Sequence, residues 1–428
     1  MRYSPSVTEW AHILNIRSPR AYQAVRKVLP LPNPRTLQIS RAQEPGFPVG
    51  IQDRTFERVV NLLQKLNYDC PCSLACDDTK LTPSLHPYWD ADRGCYVLLG
   101  STISPPPILP DPDQLTGALR RGEIEKATQL RVWTLQAVAP GVPTIVVATL
   151  PISSSADAED LKDHLKAILF GLLKRNINVA MYAVDGSAKE RKIERYLASW
   201  AEKVVDYTIP HPVDRSRDYH VRVAYFRVGD SLVGVAIGQD PEHGRKSLRN
   251  ALFSGARVLT LGEHVAAYSD IRKVAFADLG EGPASPLFHR DIEKLDRQDD
   301  NAATRVFCTE TLQWLTTHLP DRLGTIVYCY VYGELPDAYL NRSILLADRV
   351  HIVLHVHYFT EIWLSFLERA EYPKATQCLS KDTLNIVQYL VDGLMQSIYI
   401  FRDQYHGRYP LLPWKLGTSG AEHVFGAS

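Results

Sequence analysis

Between residues 71 and 210 the hydrophobic period switches in an order that few folds accommodate. Short apolar runs come first. They are "CSLACDD", then "HPYWDADRGCYVLLGS" as a hairpin turning at Asp90–Gly94, then "WTLQAVAP" and "PTIVVATLPI". The segment "DAEDLKDHLKAILFGLLKRN" follows as an amphipathic helix. Its acids fall in the first half and Lys174-Arg175 close it, where the helix macrodipole favours them. "INVAMYAVDGS" is a buried strand, "AKERKIERYLASWA" a second helix and "KVVDYTIPH" a further short strand. Strands that meander and then alternate with helices define an α/β layout. The order is compatible with a ribonuclease H-like mixed sheet, and other mixed α/β folds fit it too.

The flanks differ. Residues 3–66 read as helical, with Ser-Pro start signals at Ser4-Pro5 and Ser18-Pro19. "DRTFERVVNLLQKL" lines Phe56, Val59, Val60, Leu63 and Leu66 along one stripe. "SPPPILPDPDQL" predicts an exposed extended link. After residue 220, "HVRVAYFRVGDSLVGVAIG" alternates around Gly229-Asp230 as a hairpin, and helical periodicity then dominates to about 405. The expected division is an N-terminal helical segment over 1–69 and an α/β core over 70–211. A hairpin and mainly helical segment follows over 212–405, with a return to the core over 406–428.

Lys+Arg and Asp+Glu are equal at 48 each, so no global charge draws the chain to nucleic acid or membrane. No run of eighteen apolar residues occurs, which predicts no membrane span. The opening "MRYSPSVTEWAHILNIRSPR" lacks the apolar stretch of a signal peptide. Seven cysteines, an odd number in mostly apolar settings, predict a reducing compartment. Cys70, Cys72 and Cys76 have no second Cys or His pair at zinc-finger spacing, so they read as strand cysteines. His351, His355 and His357 lack a HExxH partner pattern and read as core or surface histidines.

The acids carry the chemistry. "CSLACDD" ends in Asp77-Asp78 and "VAMYAVD" ends in Asp185. Two strand-end carboxylates of one mixed sheet lie side by side when their strands are neighbours. They then repel unless a cation joins them. A pair of divalent ions about 3.5–4 Å apart is held by two or three such groups. Mg²⁺ fits hard oxygen ligands and keeps water for chemistry. A third acid is expected from a helix beside those strands, and Glu422 in "AEHVFG" is in place to supply it.

Several of these blocks, in this order, resemble P-element-type (THAP-associated) DNA transposases. "CSLACDDTKLTPSLHPYWDADRGCYVLLGS" is similar to the family's first catalytic block and "NVAMYAVDGSAKERKIERYL" to its second. "GQDPEHGRKSLRNALFSGARVL" resembles its Asp-Pro-Pro-His-x-x-Lys-x-x-Arg-Asn segment through Asp240, Pro241, His243, Lys246, Arg249 and Asn250. "TSGAEHVFG" resembles its closing block, and "SPRAYQAVRKVLPLPNPRTL" the helical segment ahead of the core. The resemblance implies a ribonuclease H-like core with a DDE-type metal site. Asp77, Asp185 and Glu422 would bind Mg²⁺ or Mn²⁺, with Asp78 as fallback for Asp77. It implies that residues from about 212 to 405 form an insertion able to bind GTP. Apart from the resemblance, His243, Arg245, Lys246, Arg249 and Arg257 read either as a basic helix face able to meet phosphates or as a solvated face paired with local acids, with His243, Lys246, Arg249 and Asn250 the candidate DNA or phosphate contacts. The implied activity is phosphodiester hydrolysis at transposon ends followed by strand transfer into target DNA, in the nucleus, by a homo-oligomer. The chain departs from the family at Lys189, Glu190 and Arg191, where small or amide residues are usual, and no zinc-finger module precedes residue 3. A truncated or domesticated copy, catalytically inactive and kept for DNA or protein binding, is the alternative expectation.

Overall fold

The computed structural model describes residues 3–43, 47–90, 93–109, 111–139, 142–277, 285–293, 296–418 and 420–421. It divides into two compact units, 1–48 and 49–428. The first unit holds α1 (Pro5–Arg17), α2 (Pro19–Arg26) and α3 (Pro34–Gln43). Ser4 and Ser18 cap α1 and α2 with their hydroxyls, each followed by proline at the first helical position. Ala11, Tyr22, Leu31 and Leu37 form its small core, and the Tyr22 hydroxyl donates to the Pro32 carbonyl at 2.6 Å.

The second unit begins with α4 (Asp53–Lys65), then β1 (Cys72–Lys80) and a ribbon of β2 (His86–Asp90) and β3 (Cys95–Leu99). The ribbon is the hairpin expected at Asp90–Gly94; residues 91 and 92 of its turn lie outside the described residues. Helix α5 (Pro112–Arg120) occupies the end of the stretch expected to be extended, because Asp111 caps it and Pro112 starts it. Next come β4 (Gln129–Ala137), β5 (Ile145–Ile152), α6 (Ala158–Leu173), β6 (Val179–Val184), α7 (Ala188–Ser199), β7 (Lys203–Ile209), β8 (Tyr219–Val228) and β9 (Ser231–Gln239).

Seven of these strands form one sheet in the order β5-β4-β1-β6-β9-β8-β7. Strands β5, β4 and β1 are antiparallel, whereas β6 and β9 run parallel to β1. The mixed sheet expected from the sequence is present. Its extent differs from the expected division at 211/212. The hairpin 219–239 is part of the sheet, with β9 beside β6, and "KVVDYTIPH" is displaced to the edge as β7. The reason is burial on both faces. Val223 and Ala236 face one core cluster, while Ala224, Val233 and Val235 face another. An internal strand with two covered faces reads as continuous apolar sequence rather than as an exposed hairpin. The N-terminal division moves as well. Helix α4 belongs to the second unit and packs on the sheet side with α6, where Phe56 lies against Gly171.

The helical segment therefore begins at α8 (Pro241–Phe253). It continues through a short hairpin, β10 (Leu259–Leu261) with β11 (His264–Ala266), and α9 (Tyr268–Ala275), α10 (His289–Glu293), α11 (Asp300–Phe307) and α12 (Thr309–His318). Helices α13 (Leu323–Leu340), α14 (Leu346–Arg369), α15 (Lys374–Gln377) and α16 (Lys381–Ile400) complete it. Helix α14 is long and apolar enough to cross a membrane by length and composition. One face of it packs on α13 and α16 through Val353, Val356, Trp363 and Leu367.

Helix α16 returns to the sheet and lies on β9. Gly393 allows this approach: a Cβ there would stand 2.9 Å from the Ile237 carbonyl oxygen and 3.0 Å from the Gly238 Cα. Those atoms are backbone and cannot swing aside. Gly393→Ala is expected to cost about 1–3 kcal/mol, the range for overpacking a close contact. A shift of the denaturant midpoint at constant slope would report it.

Candidate active site

Strands β1 and β6 are parallel neighbours, with Ser73 opposite Met181, Leu74 opposite Tyr182 and Ala75 opposite Ala183. The same register, carried two residues on, sets Asp77 level with Asp185 immediately past the end of β6. Side chains alternate along a strand, so Asp77 falls on the face of Ala75, while Asp185 follows the end of β6, where its charge also acts on Glu190 and Glu194 of α7. Neighbouring strands stand about 4.8 Å apart, so this register brings the backbones of Asp77 and Asp185 to adjacent strands of the sheet. Each is half-buried and locally braced. An Asp77 oxygen accepts from the Asp78 amide at 2.8 Å, and an Asp185 oxygen accepts from the Ser187 amide at 2.9 Å.

The turn after Asp185 requires Gly186. Its φ is +76°, and a Cβ would lie 1.6 Å from the Gln239 side-chain nitrogen. Gln239 is itself buried, so it has no room to move. Gly186→Ala is expected to cost about 1–3 kcal/mol from backbone strain alone. Thermal melts would show that loss, and the displaced Asp185 would weaken Mn²⁺ binding in a parallel titration.

Asp78 occupies the opposite face. It receives two hydrogen bonds from Arg131, each 2.8 Å, and lies 3.5 Å from Lys189. Arg131 is buried, spans to Glu190 at 2.5 Å and sits against the Trp133 ring. Burial opposes the guanidinium charge, but the surrounding acids hold it protonated, while burial pushes Glu190 up. The alternation that brings Asp77 to the site takes Asp78 away from it, so Asp78 is not placed to substitute. The three residues that depart from the family pattern are structural. Lys189 and Glu190 join the Arg131 network, and Arg191 donates to the Gly186 carbonyl and to Asp382 on α16.

Glu422 lies outside the described residues. The chain approaching it does not. Leu416 packs in the cluster containing Met181, Ala183 and Ala236, on the face that bears Asp77. Gly420 and Ala421 start a helical turn, with Ala421 fully buried. Among the described residues no group of three or more His, Cys, Asp or Glu stands ready to hold a metal ion. That includes Cys70, Cys72 and Cys76, of which the last two are buried thiols that burial pushes up.

The four candidate phosphate contacts lie on α8. Asp240 caps this helix, accepting from the His243 amide at 3.0 Å, which fits the helix start expected at Asp240-Pro241. Arg249 is fully buried and donates to the backbone carbonyls of Asp296 and Asp299. Lys246 is buried and pairs with Asp300 at 2.9 Å. Asn250 donates to the Arg297 carbonyl. Lys246 and Arg249 thus hold the loop before α11, and neither is open to a phosphate in this conformation. Their sequence spacing gave no signal of this burial, because the carbonyls and the carboxylate that engage them lie some fifty residues away.

The fold and site together define a mixed α/β protein with a helical lobe inserted after the sheet, in which Asp185 follows the end of β6 and Asp77, expected at a strand end, lies inside β1, which runs on to Lys80 because β4 continues to pair with it. Residues 1–39 match the family model described as "Transposable element P transposase-like, HTH domain". Among solved structures the chain is similar to the Drosophila P element transposase in its strand transfer complex. The TM-score is 0.64 and the identity 14%, covering 100% of this chain and 86% of that one. No curated protein sequence matches the chain. The resemblance to P-element-type transposases read from the sequence is borne out at both levels, in the leading helical segment and in the fold.

Proposed function

We propose that the sheet is ribonuclease H-like and that the chain is a DDE-type transposase acting on DNA in the nucleus. The observation that carries this reading is the shared register that sets Asp77 beside Asp185. Hard carboxylate oxygens from two adjacent strands suit Mg²⁺ or Mn²⁺. Asp77, Asp185 and Glu422 would hold the ion. When bound, it would activate an attacking oxygen and stabilise a leaving one on phosphorus. The chain's own part is rigidity. The Asp78 amide fixes the Asp77 carboxylate, the Ser187 amide fixes Asp185, and Gly186 keeps the turn tight. The likeness to a strand transfer complex supports transposon ends and target DNA as substrates, and a homo-oligomer as the acting form. Guanine nucleotide, if the helical lobe takes it, must use groups other than Lys246 and Arg249 as they now stand.

Incubating the purified chain with labelled double-stranded DNA and Mn²⁺ tests the proposal. Nicked or joined products that vanish with chelator support it. Salt-sensitive DNA binding with neither cleavage nor Mn²⁺ binding by calorimetry overturns it in favour of an inactive, domesticated DNA-binding protein.

A further inference from the structure

The register that aligns Asp77 with Asp185 continues to a third acid. On β6 and β9, Ala183 lies opposite Gly238 and Val184 opposite Gln239, so Asp240 falls level with Asp185. Asp240 is buried, and burial pushes its carboxyl up to about 6. One oxygen caps α8. The other accepts from the Thr418 amide at 3.4 Å. Gly417 sits so close that a Cβ would stand 2.9 Å from that same oxygen. Leu416 and Thr418 on either side are buried. Three residues on, the Gly420 backbone lies against the β4–β5 end: a Cβ there would meet Thr144 Oγ1 at 2.8 Å and Gln136 Oε1 at 3.1 Å. Those two side chains bond each other at 2.6 Å, which fixes the contact surface. Residues 416–418 and 420–421 are therefore held at two points, on β9/α8 and on β4/β5.

We propose that Asp240 is a positioning residue, a buried clamp that fixes the returning segment, which leads in sequence to Glu422. It has no role as a metal ligand in this scheme. The same carboxylate begins the helical lobe, so the lobe and the returning segment share one anchor. The consequence for metal binding rests on the DDE reading above, whereas the clamp itself does not.

The experiment uses the full chain and two variants. Asp240→Asn keeps an oxygen to cap α8, since Asn and Asp are near-equivalent caps. Its amide nitrogen then faces the Thr418 N–H, donor against donor. Gly417→Ala leaves Asp240 intact and presses on its oxygen from the other side. Hydrogen exchange of the 416–421 amides is expected to accelerate at least tenfold in both variants, with global melting shifted by only a few degrees. Mn²⁺ affinity is expected to fall about 10–100-fold, as when an outer-shell partner of a metal site is lost. If the two variants fold normally and exchange at 416–421 is unchanged, the clamp is overturned. If Asp240→Asn alone melts early, Gly417→Ala decides by the same readout. Faster exchange in a chain whose wild type binds no Mn²⁺ would sustain the clamp and reject the metal reading.

Discussion

Asp185→Asn is expected to abolish Mn²⁺-dependent DNA cleavage while leaving the melting temperature nearly unchanged. The substitution is isosteric, and the remaining side-chain oxygen still accepts from the Ser187 amide, so the turn into α7 keeps its geometry. What is lost is a negative charge and a hard ligand. Losing an outer-shell partner costs a metal site about 10–100-fold. Losing a direct ligand should exceed that, so a drop above ~100-fold in cleavage is expected, with a matching loss in calorimetric Mn²⁺ affinity. Asp78→Asn is the paired control. Asp78 lies on the far face in the Arg131 network, so its variant should lower stability and leave Mn²⁺ affinity close to wild type. Equal metal loss in both variants would mean that the alternation along β1 does not separate their roles, and the site would have to be redrawn. Cleavage surviving in Asp185→Asn would reject the active-site assignment.

The contrast between Asp77 and Asp78 shows where sequence reading ends. The strands, the α6 and α7 helices and the acid after β6 were legible because each rests on local pattern, whereas β1 runs past Asp77 to Lys80 because β4 pairs with it there. Short apolar runs, cap residues and a Gly after Asp185 all lie within a few residues of what they specify. The neighbour of each strand is not local. "KVVDYTIPH" and "SLVGVAIGQ" are equally good strands by pattern, and only the two covered faces of β9 decide that it sits beside β6. The same limit applies to α8. Its basic residues look like a phosphate-binding face until Asp296, Asp299 and Asp300 are brought to them by a turn about fifty residues later. Asp240 was visible as a helix cap, but its second oxygen serves the chain near residue 418, a contact that no local pattern announces.

Arg131→Ala is expected to be the most destabilising single change on the far face of the sheet. Arg131 is 2% exposed and is the one cation bonded to both Asp78 and Glu190 in the described network. Removing it leaves Asp78 with Lys189 alone and takes from Glu190, almost as buried as the arginine, the guanidinium it pairs with. Breaking a buried pair by deleting one partner costs about 3–5 kcal/mol, because an uncompensated charge stays in a poorly solvated place. Against a total stability of roughly 5–15 kcal/mol for a folded domain, that is a large fraction. Urea denaturation should therefore show a lower midpoint at unchanged slope, with the free energy extrapolated to water reduced by that amount. The sign of the pH dependence follows from Glu190, whose carboxyl is already pushed up by burial. Without the guanidinium it should rise further. A raised acid contributes stability below its unfolded value that is lost as pH climbs through the folded one, so the variant should be least impaired in acid and worst above neutrality. Glu190→Gln combined with Arg131→Met removes both charges of that pair and should recover much of the loss, since apolar replacements of buried ion pairs are often neutral. A single-variant loss under about 1 kcal/mol would show that water reaches this network. The rigid backing it gives β1 and α7, and through them Asp77 and Asp185, would then have to come from apolar packing alone.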